Sequence, residues 1–365
     1  MKNTYTPKQR FLTALSGEQP DQVPLFDFLF SQNLYDHVLG HKPEAYNSED
    51  AIALTNALEL DGVHIAAGAA ETFEAAYLSP DVVVDEWGTT QKIDPSISWP
   101  TGGPFNHPVK NRSDWKNYHM PDPAAKGRME PVATAVKLAG DHLAIIGSVS
   151  GPYSHSTWIT GLDTLSLLFY DDPALAHEII GAVAEWDIAV GRQMVEIGVD
   201  VLLVADDMGA NQGPLLSMKH FREFVLPYFG KVVQAYRKMG VPVIMHNDGR
   251  IWNFLDDLVA TGINAYHPIE RSASMDLGIV KQKYGHQICP IGNVNNKEVL
   301  REGTVREVEQ QVIECLRQAA PGGGYILASD HSLNSGQKNE NILAMFAAAK
   351  KYGRYPLNLP EKDDR

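Results

Sequence analysis

Eight short apolar runs, each ending in a polar cluster and each set off from the next by a helix-compatible or polar stretch, set the narrowest limit on what this chain can fold into. They are "VPLFDFL" (23–29), "DGVHIAA" (61–67), "HLAIIGSV" (142–149), "DVLLVADD" (200–207), "VPVIMHND" (241–248), "INAYHPIE" (263–270), "QICPIGNV" (287–294) and "GYILASDH" (324–331). Stretches such as "DPALAHEIIGAVAEWDIAVGRQMVEIG" (172–198) and "TVREVEQQVIECLRQAA" (304–320) lie between them, with apolar residues at three- and four-residue intervals. Strand then helix, repeated, is the βα unit, and eight such units close a barrel. The pattern predicts an α/β fold, a (β/α)8 TIM barrel, as a single domain over 1–365. Two segments stand outside the repeat. Residues 1–20 read as an N-terminal helical extension laid outside the barrel or across its floor. The proline-rich, alternating segment from Pro80 to Pro123 reads as a β-rich insertion near 80–123, a hairpin capping the mouth.

Composition enters as an exclusion. A net charge of −14 and a pI near 5.3 argue against nucleic acid and against an anionic membrane face, both of which call for basic surface. A small molecule or a protein is the expected partner. No apolar run reaches the ~18 residues of a membrane span, and "MKNTYTPKQR" is too polar for a signal peptide, so a cytoplasmic location is expected. The two cysteines, Cys289 and Cys315, form no CxxC motif, so a metal would have to be held by His, Asp or Glu. "PGGGY" (321–325) precedes a strand and reads as a helix stop; a phosphate cradle would follow one.

In a barrel of this kind chemistry sits where the strands end. Those ends read Asp27, His64, Ser148 with Ser150, Asp206 with Asp207, His246 with Asp248, His267 with Glu270, Asn293, and Asp330 with His331. His246 and Asp248 are two apart and share a face if the strand persists, so both could reach one divalent ion. His331 and Glu270 are candidates to complete the shell. The plainer alternative makes Asp248 the cap of a helix starting near Ile251. Asp206 and Asp207 face opposite ways, and Asp207 is the expected catalytic member because the turn after it contains Gly209. Glu270 is a second catalytic candidate, and His267 reads as a core residue or a support. Phe30, Tyr153 and Trp158, just past strand ends, are expected as substrate wall, with Asp27, His64 and Asn293 as further substrate contacts.

With these ends laid out, the chain resembles the uroporphyrinogen decarboxylase superfamily, which also contains corrinoid-dependent methyltransferases. The resemblance rests on "RFLTALSGEQPDQVPL", "GPYSHSTWITGLD", "DDMGANQGPLLSMKHFREFVLPYF", "GNVN" and "SDHSLNSGQKNENI", and spans nearly the whole chain. The decarboxylase branch carries an early arginine-rich stretch that grips a tetrapyrrole's carboxylates; the matching segment here, "FDFLFSQNLY", has none. Thiol-methylating members of the other branch bind zinc through a histidine, a cysteine two residues on and a late cysteine, positions that correspond here to His246, Asp248 and His331. Replacing both thiolates leaves a harder Lewis acid suited to oxygen or nitrogen. The resemblance therefore implies a corrinoid-dependent methyltransferase that moves a methyl group from a small O- (or N-) methyl donor, such as an aryl methyl ether, to Co(I). A divalent metal, zinc first, would act as the Lewis acid, and the cobalamin would be supplied by a partner corrinoid protein. The alternative is a metal-free decarboxylase or lyase acting on another acid, with Asp207 as its acid-base group.

Overall fold

A computed structural model describes residues 5–93 and 102–361, so the stretch 94–101 of the expected insertion lies outside the described residues. Seven parallel strands form the barrel wall: Gly62–Ala66, Ala144–Val149, Val201–Ala205, Val243–His246, Ala265–His267, Cys289–Val294 and Ile326–Ser329, hydrogen-bonded in that order. Helices between consecutive strands lie outside, the longest running Pro173–Ile197, capped by the Asp172 side chain and closed by Gly198 in the left-handed region.

The eighth stave differs from the expected strand. Segment 23–29 does fill the gap between the last and first regular strands, with Phe26 N–H donating to Leu327 O, Leu327 N–H to Pro24 O and Asp61 N–H to Leu25 O. It makes no continuous ladder, because its donors go elsewhere. Pro24 has no N–H, that of Leu25 goes to the Asp61 carboxylate at 2.7 Å, and that of Phe28 goes to its neighbour Asp27. Only Leu29–Phe30 is a strand, pairing in parallel with Leu333–Asn334.

Inward-facing residues follow the two-residue period of each strand. Ile146, Val201, Leu203, Ile244, Ala265, Ile291, Ile326 and Ala328 meet Phe26 and Phe28 inside the barrel, and Phe11, Ala14 and Leu15 of helix Pro7–Leu15 plug the floor beneath them. The N-terminal extension thus crosses the floor. Aromatic rings climb the axis by edge contacts, Phe11 to Phe26 to Phe28, each step 5.8 Å between centroids. A second, larger core joins the strands' outer faces to the helix ring. The insertion is broader than a hairpin: strands Ala76–Ser79, Val82–Val84, Thr90–Lys92 and Gly103–Asn106 form a four-stranded antiparallel sheet. Among the described residues no helix is long and apolar enough to cross a membrane.

Candidate metal centre

The inward parity that puts Leu203, Ile244 and Ala265 in the core carries on to His246 and His267, the last residues of their strands, and past the strand ends to Asp207 and Asp248. Two loops then meet backbone to backbone. Gly249 has φ +83°, and a side chain there would fall 2.6 Å from the Gly209 carbonyl carbon; one at Gly209 would fall 2.7 Å from Asp248 O. Glycine at both positions lets the loops close, and Asp248 N–H donates to Asp207 Oδ1 at 3.0 Å.

As a result one ligand-type atom each from Asp207, His246 and Asp248 lies within 4.8 Å of the others. His246 Nε2 is 3.5 Å from Asp248 Oδ2 and 4.0 Å from Asp207 Oδ1. His331 Nε2 approaches the same Asp248 oxygen at 3.1 Å. Asp248 Oδ1 is buried with no hydrogen-bond partner. A buried carboxylate oxygen left open beside an imidazole and a second carboxylate is what an oxygen- and nitrogen-preferring divalent cation would satisfy, so the residues present fit such an ion.

His267 supports this cluster from below. Its Nδ1 lies 2.8 Å from His246 Nδ1, so one proton is shared between them, and a proton on His246 Nδ1 leaves His246 Nε2 with a free lone pair facing the carboxylates. Burial and then the neighbouring His246 hold His267 well below the usual histidine range, which keeps it neutral as the acceptor. Burial lowers His246 as well, but Asp248 and Asp207 outweigh it and raise its pKa. The two carboxylates split. Burial and the adjacent Asp248 charge raise Asp207, whereas for Asp248 burial is overcome by His246 and His331, which pull it well below the carboxylate range. For His331, burial is outweighed by Asp248, Glu270 and Asp330, which raise it to about 9. Yet its Nδ1 accepts the Ser332 N–H at 2.8 Å, and a nitrogen that accepts cannot itself carry a proton. The hydrogen bond is the sharper constraint: it keeps the ring neutral, with Nε2–H donating to Asp248, so ligation through Nε2 requires a change of tautomer.

The other expected site residues scatter. Glu270 is 4 % exposed with both oxygens engaged, Oε2 by Gly249 N–H at 2.7 Å and Oε1 by Ser272 Oγ at 2.6 Å; it clamps the loop that carries Asp248. Asp27 is drawn away from the mouth, accepting from Ser329 N and Oγ at 2.8 and 2.9 Å and so bolting the irregular stave to the last strand. Asn293 likewise turns aside: its amide donates to Ile269 O at 2.6 Å and its oxygen accepts from Arg271. Tyr153 is buried in the helix layer at 1 % exposure, and Trp158 sits against His155 while its carbonyl accepts from Thr89 and His107. Asp27 and Asn293 thus give their side-chain hydrogen bonds to the fold, whereas the rings of Tyr153 and Trp158 are placed by packing in the helix layer. His64 and Phe30 do stay near the axis, their rings 5.6 Å apart, and His64 Nε2 is 2.7 Å from Ser148 Oγ. Phe28, absent from the strand-end residues, belongs to the site as well: its ring lies 4.4, 5.1 and 4.9 Å from those of His64, His246 and His267. Its place two residues after Phe26, on the same inward parity, was the available signal. Beside the cluster opens a cavity of about 620 Å³, whose lining includes Asp248, His331, Glu270, Asp330, Lys297 and Arg301.

The family model described as uroporphyrinogen decarboxylase matches residues 6–352. Similar proteins include the methylcobamide:CoM methyltransferase MtbA of Methanosarcina mazei, 26 % identical over 95 % of this chain and 98 % of that one. The methylated-thiol–coenzyme M methyltransferase of the same organism is 23 % identical over 100 % of this chain and 93 % of its own. The uroporphyrinogen decarboxylase of Methylococcus capsulatus is 25 % identical over 69 % of this chain and 72 % of its own. Among solved structures, a methyltransferase from Methanosarcina mazei superposes with a TM-score of 0.71, at 21 % identity, over 95 % of this chain and 99 % of that one, a likeness of fold.

Proposed function

The chain belongs to the uroporphyrinogen decarboxylase family, and from that premise we propose that it is a corrinoid-linked methyltransferase acting at the donor end. A methyl group would pass from a small O- (or N-) methyl donor, such as an aryl methyl ether, to the Co(I) of a separate corrinoid protein. The C–O electron pair stays with the donor oxygen, the cobalt supplies the pair for the new bond, and the oxygen is later protonated. The observation that carries this reading is the cluster of Asp207, His246 and Asp248 with its unpartnered Asp248 oxygen. Near-full-length similarity to two proteins named as methyltransferases supports the reaction class.

A divalent metal, zinc first, would be held by Asp207, His246 and Asp248, with His331 joining on a tautomer change, and when bound it supplies Lewis-acid polarisation of the donor oxygen. The chain's own residues do the rest. His267 fixes the tautomer of His246, Glu270 holds the loop that presents Asp248, and Phe28 closes the floor beneath the cluster against water. His64 and Phe30 form the wall beside Phe28, and burial pushes the His64 pKa down to about 3, so that wall stays uncharged. The cytoplasm is the expected location.

The test is elemental analysis of purified protein, followed by methyl transfer to cob(I)alamin from methoxyaromatics and methylamines. One equivalent of metal and methylcobalamin formation from an oxygen donor are expected. Protein that carries no metal, takes none up and decarboxylates an acid instead would replace this reading with the metal-free lyase.

A further inference from the structure

Among the described non-glycine residues only Glu59, Ile269 and Ser274 have a positive φ, and Glu59 and Ser274 are exposed. Ile269 differs from both: it is β-branched, fully buried and held at φ +57°, where its Cβ crowds the backbone. Strain of this kind persists only where the surroundings over-determine it, and it concentrates at functional sites. Here the constraint comes from Asn293, buried on the neighbouring strand. Its side-chain amide donates to Ile269 O at 2.6 Å and to Met275 O at 3.3 Å, and its oxygen accepts from Arg271 Nη2 at 3.1 Å. One side chain thus ties the start, the middle and the end of segment 269–275. The strand comes this close because Gly292 has no side chain; a Cβ there would fall 2.0 Å from Pro268 O. Inside the segment, Glu270 O accepts from the N–H groups of Ala273 and Met275, both at 3.1 Å, which closes it into a turn. That turn reaches the cluster through one side chain: Glu270 follows Ile269, its Oε2 takes Gly249 N–H at 2.7 Å, and Gly249 follows Asp248.

We propose that Asn293 is a positioning residue: by holding Ile269 in its strained conformation it aims Glu270 at Gly249 and so fixes where the Asp248 carboxylate stands. Without the amide, Ile269 relaxes to negative φ, the turn rotates, and the clamp on Gly249 opens. The link from Asp248 to a bound ion rests on the reading above, whereas the link from Asn293 to Gly249 does not.

The experiment compares the parent with N293A, N293D, I269G and N293A/I269G. In metal-free protein, hydrogen exchange of the Gly249 amide is measured by NMR, with the Asp206 amide, which donates to His246 O at 3.0 Å, as reference. Affinity for zinc is measured separately by competition with a chelator, per folded molecule. N293A and N293D, the second of which keeps the volume but loses the amide donors, are expected to speed Gly249 exchange by about tenfold or more relative to Asp206. Both should weaken zinc affinity by about tenfold, the lower end for a lost outer partner of a ligand. Glycine takes positive φ without strain, so I269G should hold zinc within about twofold of the parent, and N293A/I269G should recover most of what N293A loses. A residue that serves the fold alone would lower the melting temperature and move both amides together, and that result overturns the proposal, as does a double variant no better than N293A. Should the Asn293 variants fail to fold, exchange in the parent decides. The Asn293 side-chain amide and the Gly249 amide are expected to open together, with one dependence on denaturant; independent opening removes the link. The two proposals fail separately: Gly249 exchange that depends on Asn293 in protein that takes up no metal keeps the positioning role and removes the methyltransferase reading. Metal uptake and methyl transfer indifferent to Asn293 do the reverse.

Discussion

The two ends of the barrel both bury carboxylates, and they treat them in opposite ways. At the floor, Arg10 donates to Asp21 at 2.8 Å and to Asp61 at 2.5 Å, the second Asp61 oxygen takes Leu25 N–H, and Asp200 is held by Lys8 at 2.7 Å and by Ile145 N–H at 2.9 Å. Each charge there is matched by a donor from the chain itself. At the mouth, Asp248 Oδ1, His267 Nε2 and His64 Nδ1 are buried without a partner. An unmatched buried polar atom costs about 1–3 kcal/mol, so an end that leaves several open is arranged for something other than stability. Barrels of this kind concentrate stability at the N-terminal face and chemistry at the C-terminal face, and the hydrogen-bond inventory separates the two ends here without reference to any relative.

The largest expected effect would break the mouth alone. His246→Ala or Asp248→Ala should lose bound metal and lower methyl transfer by about three orders of magnitude or more, given the several kcal/mol that Lewis-acid assistance supplies. The melting temperature of the metal-free protein should move by no more than about 2–4 °C, the shift that roughly 1 kcal/mol produces. Normal metal content in either variant would place the centre elsewhere.

The floor supplies the mirror image. Arg10→Ala strands Asp61 in the core and should cost about 3–5 kcal/mol of stability, read by denaturant unfolding, while metal bound per folded molecule stays the same. A variant that instead loses metal at full stability would erase the contrast between the ends.

His267→Ala tests the support beneath the cluster. Removing the partner of His246 Nδ1 should weaken metal affinity by about 10–100-fold without abolishing binding, the scale of a lost outer partner of a ligand. An unchanged metal Kd would reduce His267 to packing.

Glu270→Gln carries the smallest expected effect and sharpens the boundary of the ligand set. Glutamine retains one oxygen for Gly249 N–H, so metal affinity should fall by less than about tenfold. A loss as deep as that of Asp248→Ala, measured by competition with a chelator, would return Glu270 to the ligand set.

How much of this was legible beforehand follows from what each feature depends on. Strand periodicity is local, so the seven regular staves, the inward parity of His246 and Asp248, and the family resemblance could be read along the chain. The irregular stave at 23–29 could not, because its apolar pattern is that of a strand and only the distant Asp61 carboxylate diverts the Leu25 N–H from a ladder. Asp207 and Glu270 make the same point at the site. Both are acidic residues at strand ends, yet the glycine-to-glycine contact of two loops draws Asp207 into the cluster, while Gly249 N–H and Ser272 take both oxygens of Glu270. The sequence by itself determined which faces point inward and which chemical groups stand at the mouth, since both follow from spacing and side-chain type. Tertiary structure alone decided which of those groups spend their lone pairs on the fold and which are left open, because each such choice depends on a donor brought from a distant stretch of chain.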